Sequence, residues 1–199
     1  MLVIGSLYTF GTLSVYMTSY LSITASPGIT TADVAVIFPL NLIMINAGII
    51  VGYPLKIFRC ELARKVDIRV ITVVGFTLYS ACLLGMSFIS TFAGYVGVYA
   101  LGSFMLGLPY MLPMNNAIKY LPTHKGLCSG ICIMGLGSGA LVFNQIILAV
   151  MNPHNIKPSP STHLFPFAVA YNMPTTWRVL AGVYFGVGLL GTAIMIPKD

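Results

Sequence analysis

The sequence predicts an all-α membrane protein with six transmembrane helices. Of its 199 residues only 7% are charged and 57% are hydrophobic, and the mean hydropathy is +0.92. Water-soluble domains carry about 25% charged residues, and fourteen charged side chains could not cover a soluble surface of this size. The apolar residues fall into stretches near the ~20 residues that cross a bilayer. The lysines and arginines gather in the connections between these stretches, where membrane topology signals lie. That placement turns the net charge of +6 and the pI near 9.2 away from nucleic acid and towards a lipid bilayer as the partner.

Residues 2–22 form the first span. They are apolar from the start, with no charged leading region and no small-residue cleavage site, and so do not read as a cleaved signal peptide. Ser26, Pro27 and Gly28 break the chain. Thr31, Ala32 and Asp33 resemble a helix N-cap region ahead of a second span at 34–55. The segment 56–69 carries Lys56, Arg59, Arg64, Lys65 and Arg69 beside Glu61 and Asp67, and cannot lie in lipid. A third span covers 68–89. The short turn at Ser90 and Thr91 makes the third and fourth spans, 68–89 and 92–119, antiparallel neighbours.

The stretch from Leu106 to Phe143 is the most informative. An apolar helix with Pro109 and Pro113 leads to a basic hairpin with Lys119, His124 and Lys125, where Pro122 stops the helix. The fifth span, 126–151, carries Gly126, Gly130, Gly135, Gly137 and Gly139. Each would weaken a helix in water by about 1 kcal/mol relative to alanine. In a bilayer they let a neighbouring helix approach closely, so Gly130, Gly135 and Gly139 are expected packing positions. An outer loop at 152–176, marked by Pro153, Pro158, Pro160, Pro166 and Pro174, precedes the sixth span at 177–196.

Lys56, Arg59, Arg64, Lys65, Arg69, Lys119, Lys125 and Lys198 fall on one side of this topology, and Lys157 and Arg178 on the other. The excess of positive charge on the cytosolic side then predicts both termini, the 56–69 loop and the basic hairpin in the cytosol.

Six spans, a long basic second connection and a tight third one resemble one half of a major facilitator superfamily transporter. Monocarboxylate transporters carry a pattern close to Y-F-x-K-R-R-x-L-A-x-G-x-A-x-A-G entering their fifth helix, matched here by Tyr120, Lys125, Leu127, Gly130 and Gly135. The oxalate/formate antiporter family has W-F-P-x-x-R-G-L-A-x-G followed by G-x-G-x-G-A-L-x-F. Here Pro122, Lys125, Gly126, Leu127 and Gly130, then Gly135, Gly137, Gly139, Ala140, Leu141 and Phe143, match it. The run from Gly5 through Tyr8, Thr9 and Phe10 resembles that family's G-x-x-Y-x-W.

The chain also departs from these patterns. The superfamily's second connection usually reads G-x-L-x-D-R-x-G-R-[KR]. Here Lys56 stands where the acid belongs, with Glu61 and Asp67 as substitute partners, so the usual cytosolic gate is altered. A complete transporter has about twelve helices in two bundles around a midplane site. This chain holds six, either as a fragment or as a half that pairs with a second half-transporter.

The resemblance implies transport of a small organic anion, of the monocarboxylate or oxalate/formate type, by alternating access, through exchange or proton symport. It also implies substrate-binding residues on the first, fourth and fifth helices: Tyr8, Tyr110 and Asn144. Phenolic hydroxyls can donate to a carboxylate while their rings exclude water. Leu136 stands where relatives carry an aromatic, which disturbs the family's aromatic cage. Lys56, Arg59, Arg64, Lys65 and Lys125 fall at the gate and hairpin.

The spans hold no acid or base at mid-depth, which excludes a proton relay within this half and leaves any cation for the anion to the missing half. Tyr16 and Tyr20 are expected in the interfacial aromatic belt. The intramembrane amides Asn41, Asn46, Asn115, Asn116, Asn144 and Gln145 are expected to bond mostly across helices. Cys128 and Cys132 have no ligand at metal spacing beside them and read as small apolar fillers. No nucleophile–base pair, phosphate loop or metal cluster points to an enzyme or a cofactor. The alternative to a transporter half is a non-transporting structural or assembly subunit of a membrane complex.

Overall fold

The computed structural model describes residues 1–25, 28–52, 67–160 and 162–196. The described residues are all helical or irregular, with no strand. A 3-10 segment, Val3–Thr9, runs directly into α1, Phe10–Thr24. There follow α2 (Thr31–Ala35), α3 (Ile37–Gly52), α4 (Ile68–Met86), α5 (Phe92–Gly107) and α6 (Leu112–Tyr120). A 3-10 turn, Pro122–His124, leads into α7 (Lys125–Met151), and α8 (Phe167–Ala170) and α9 (Met173–Ile194) complete the order.

Among the described residues five stretches are long and apolar enough to cross a bilayer: Thr31–Gly52, Ile68–Met86, Phe92–Tyr120, Pro122–Met151 and Phe167–Ile194. Their outward faces carry exposed apolar side chains such as Ile43, Ile50, Leu141, Leu190 and Ile194. Such faces suit lipid, and the chain is a multi-pass integral membrane protein. The first segment differs from its expected form as one continuous helix. Its 15-residue α-helical part spans only about 22 Å. The 3-10 turns before it extend the same rod, with Thr9 Oγ1 donating to the Ser6 carbonyl at 2.6 Å.

The expected second span starts earlier than 34 and is divided at Val36 into α2 and α3. Its N-cap is Thr30, in a capping box: the Thr30 amide donates to Asp33 Oδ2 at 2.8 Å and the Asp33 amide donates back to Thr30 Oγ1 at 3.4 Å. The expected fourth span is broken at Leu108–Met111, between α5 and α6. Pro109 cannot donate to the preceding turn and Pro113 fits the start of α6, so the chain kinks there. The sixth helix begins at Met173 rather than 177, because Pro174 occupies the first turn, where its missing N–H costs nothing. The expected outer loop is not wholly irregular, since α8 lies within it and Phe165 docks on α1. There the Phe165 ring stacks on Tyr16 at 4.5 Å and its amide donates to Ser19 Oγ at 3.0 Å.

Four pairings build the bundle: α3 with α5, α4 with α5, α4 with α9, and α7 with the 3-10 segment. Two of them close through glycine. A Cβ on Gly48 would overlap the Phe104 carbonyl, one on Gly107 the Ile45 carbonyl, and one on Gly52 the Leu108 carbonyl. A Cβ on Gly5 would overlap the Leu136 carbonyl, and one on Gly139 the Leu2 carbonyl. The helices therefore touch backbone to backbone at these points. Of the three packing glycines expected on the fifth span, Gly139 has this role. Gly135 would make only an ordinary contact with Met1 Cβ at 3.6 Å, and a Cβ on Gly130 would meet nothing within 4 Å. The difference arises because only the stretch of α7 around Gly139 lies against the first segment.

The centre is aromatic. Trp177 packs near Tyr95 and Tyr99, with ring centroids 6.4 and 5.8 Å away, and Tyr99 continues to Phe10 at 6.1 Å. Tyr184 stacks on Tyr79 at 5.8 Å and meets the edge of Phe143 at 4.6 Å. Tyr16 and Tyr20 belong to this core rather than to an interfacial belt, at 4% and 8% exposure. Their rings find aromatic partners inside, Phe165 for Tyr16 and Tyr95 for Tyr20.

Gly139→Val drives a branched side chain into the Leu2 backbone. It should lower the thermal midpoint of the detergent-purified protein by roughly 5 °C or more. Gly130→Val, in open space, should leave that midpoint within about 1 °C. Trp177, the sole tryptophan, should emit at short wavelength and resist acrylamide quenching if it lies in the core as described.

Candidate functional site

A cleft of about 240 Å³ opens where the 3-10 segment, α3 and the α5–α6 kink meet. Leu7 and Tyr8 line it from the first segment, and Tyr110 and Met111 from the kink. Phe38, Leu42, Ile45, Asn46 and Ile49 line it from α3. The α3 positions recur at helical spacing, so one face of that helix forms a wall. Tyr110 is presented by the break in the helix. Its amide donates to the Gly107 carbonyl at 3.1 Å in a tight turn, between Pro109 and the start of α6.

The structure therefore brings two of the three expected substrate residues, Tyr8 and Tyr110, to one cleft. Tyr8 is 62% exposed, while Tyr110 is partly buried. Neither phenol is hydrogen-bonded to another described residue. Asn46 is a third polar group at the same place. Its Nδ2 donates to the Leu42 carbonyl at 2.7 Å, which leaves one amide N–H and the carbonyl oxygen for the cleft. The sequence grouped Asn46 with the amides that bond across helices, and its bond lies instead within its own helix. Its position four residues after Leu42 and one after Ile45, on the face that carries Phe38 and Ile49, is the signal that marks it.

Asn144 is not among the residues lining this cleft. It is half-buried on α7, and its Oδ1 is enclosed with no hydrogen-bond partner among the described residues. Asn41 bonds between helices, with Ser103 Oγ donating to its Oδ1 at 3.1 Å, and Asn116 Nδ2 donates from α6 to the Ile196 carbonyl, just past the end of α9, at 2.8 Å. Of the expected gate residues, Lys56, Arg59, Arg64 and Lys65 lie outside the described residues, and Lys125 is exposed at the start of α7. Arg69, the last of the basic run, sits in the first turn of α4. Its Nε donates to the Met195 carbonyl at 2.6 Å, tying α4 to the end of α9.

The chemistry of the cleft follows from its lining. Two phenols and one amide can donate hydrogen bonds, apolar side chains supply the rest, and no charged side chain is among them. Such a site suits a small acceptor-rich group that keeps part of its charge balanced elsewhere. Among the described residues no group of three or more histidine, cysteine or carboxylate side chains could hold a metal ion. Cys82, Cys128 and Cys132 are free thiols.

The chain is similar to "Apicoplast pyruvate carrier 1" of Toxoplasma gondii, at 24% identity over 237 aligned positions with gaps included. The match covers 96% of this chain and 43% of that protein, so the chain spans less than half the length of its curated relative. No family model matches the chain, and no solved structure is significantly similar to it.

If Asn46 faces the cleft through its free amide groups, Asn46→Leu should fold with an unchanged thermal midpoint, since only one bond within its own helix is lost. Asn41→Leu, which removes the cross-helix bond and leaves the buried Ser103 hydroxyl only its bond to the Tyr99 carbonyl at 2.9 Å, should lower the midpoint by a few degrees, because such cross-helix bonds are worth about 0.6 kcal/mol on average and the leucine must also fit a closed core.

Proposed function

We propose that the chain is one six-helix half of a carrier of the major facilitator type that moves small monocarboxylates, pyruvate among them, across a membrane by alternating access. The observation that supports this most is the cleft that gathers Tyr8, Tyr110 and Asn46 between three helix segments. The similarity to a pyruvate carrier more than twice as long agrees with a half, and the first segment, Val3–Thr24, then serves as the sixth span. The two phenols and the Asn46 amide donate to the carboxylate or keto oxygens of the substrate. The second bundle, from the rest of a longer chain or from a second half-transporter, closes the open side of the cleft and supplies the balancing cation. Exchange and proton symport both fit an uncharged half-site.

The excess of basic residues in these connections supports an orientation with both termini, the 56–69 segment and the Lys119–Lys125 hairpin in the cytosol. Lys56, Arg59, Arg64, Lys65 and Lys125 then act in the cytosolic gate, and Asn144 contributes to the substrate path from α7.

The test is uptake of labelled pyruvate, lactate, formate and oxalate by vesicles that contain the complete gene product. Pyruvate uptake should saturate. Tyr8→Phe and Tyr110→Phe, which keep the rings and remove one donor each, should each raise KM about tenfold, the worth of a hydrogen bond to a charged acceptor. Unchanged uptake in the double variant, with normal amounts of protein in the membrane, would remove the cleft from the transport path.

A further inference from the structure

A second cleft, of about 310 Å³, lies in the seam between α4 and α9. Ser80 and Leu84 of α4 line it, with Arg178, Ala181, Gly182 and Phe185 of α9. Arg178 stands in the first two turns of α9 and is exposed, yet its guanidinium is fixed. Nε donates to Ser87 Oγ at 3.3 Å, and the guanidinium carbon lies 5.4 Å from the centre of the Phe88 ring. A guanidinium has five N–H donors, so four remain. No carboxylate among the described residues forms an ion pair with it.

Ser80 supplies an independent observation. It is only 6% exposed, and its Oγ is enclosed with no hydrogen-bond partner among the described residues. A serine within a helix ordinarily returns its hydroxyl to the carbonyl four residues earlier, and Thr72 on the same helix does so at 2.8 Å. Ser80 lies two turns below Ser87 along α4, roughly 10 Å. From the end of the bundle inwards the seam therefore offers a fixed cation, an uncommitted buried hydroxyl and an apolar wall.

We propose that this seam binds one anionic phospholipid. A phospholipid presents its groups in the same order: phosphate, ester carbonyl, acyl chain. The phosphate accepts from the free Arg178 N–H groups, an ester carbonyl accepts from Ser80 Oγ–H with Leu84 beside the glycerol, and an acyl chain continues inwards past Phe185. Arginine matches a phosphate with several parallel donors. A zwitterionic headgroup would bring its own cation beside the guanidinium, which favours an anionic one. A free phosphate would use the cation and leave both the hydroxyl and the apolar wall unused.

Lipid retention tests this. The whole protein is purified in neutral detergent with phosphatidylglycerol, phosphatidylcholine or inorganic phosphate, and bound lipid is counted by native mass spectrometry alongside thermal melting. One phosphatidylglycerol per chain should be retained, about fivefold in preference to phosphatidylcholine, with a rise in the thermal midpoint that inorganic phosphate does not reproduce. Arg178→Gln should abolish the preference and Arg178→Lys should keep part of it. Ser80→Ala should weaken retention of both lipids and leave the preference intact. Equal retention of the two lipids, undiminished preference in Arg178→Gln, or the full thermal shift with inorganic phosphate alone would overturn the proposal. If Arg178→Gln does not fold, as judged by Trp177 emission, the preference of the wild-type chain decides by itself. Pyruvate uptake has no part in this readout, so the lipid site and the transport function stand or fall separately.

Discussion

Backbone contact at five glycines holds this bundle in its shape. Lipid tails are as apolar as leucine, so helices in a bilayer gain little from hiding leucine against leucine and associate by close packing instead. Gly48, Gly52 and Gly107 bring α3 against α5, and Gly5 and Gly139 bring the first segment against α7. The polar groups of the cleft are set by the same contacts. Tyr8 lies three residues after Gly5, Tyr110 three after Gly107 and Asn46 two before Gly48. Each is therefore within a helical turn of a point where two backbones touch. A side chain mounted beside such a point inherits its rigidity, which is what a binding group needs from its scaffold.

The kink between α5 and α6 completes the cleft. Pro109 breaks the helix, its ring packs where a Cβ on Gly75 of α4 would otherwise stand, and the turn directs Tyr110 towards α3. The polar groups inside the bundle are otherwise mostly satisfied locally, as with Thr18, Thr72 and Thr192, whose hydroxyls donate to the carbonyl four residues before. Against that background the enclosed atoms with no hydrogen-bond partner among the described residues stand out: Ser80 Oγ, Asn144 Oδ1, Tyr95 Oη and Trp177 Nε1. Tyr95 and Trp177 sit in a shared aromatic cluster and contribute their area regardless, whereas Ser80 borders a cleft that a ligand can enter.

Much of the architecture was legible in the sequence, because hydropathy over some twenty residues reports the demands of a bilayer directly. The kink was legible too, since Pro109 and Pro113 bracket it. The packing face of α7 was not. That helix is apolar all round, so periodicity points to no side, and Gly130 looks like Gly139 until the neighbouring helix is in place. The cores of Tyr16 and Tyr20 were hidden for a related reason: a tyrosine near the end of a span looks the same whether it meets headgroups or Phe165. In the cleft, Tyr8 and Tyr110 could be singled out by family resemblance, but Asn46 required knowing which face of α3 turns towards them. Asn144, chosen by the same resemblance, lies on α7 outside this cleft.

The central claim is that the cleft between the first segment, α3 and the kink lies on the path of a small monocarboxylate. Leu42 lines it without a polar role, so a cysteine there reports occupancy without removing a donor. The most direct measurement is the rate at which a membrane-impermeant maleimide labels Leu42→Cys, in a background with the native cysteines replaced and the complete gene product in vesicles. Saturating pyruvate should slow the labelling severalfold, and a neutral alcohol of similar size should not. A rate that pyruvate leaves unchanged would contradict the assignment of this cleft to the substrate.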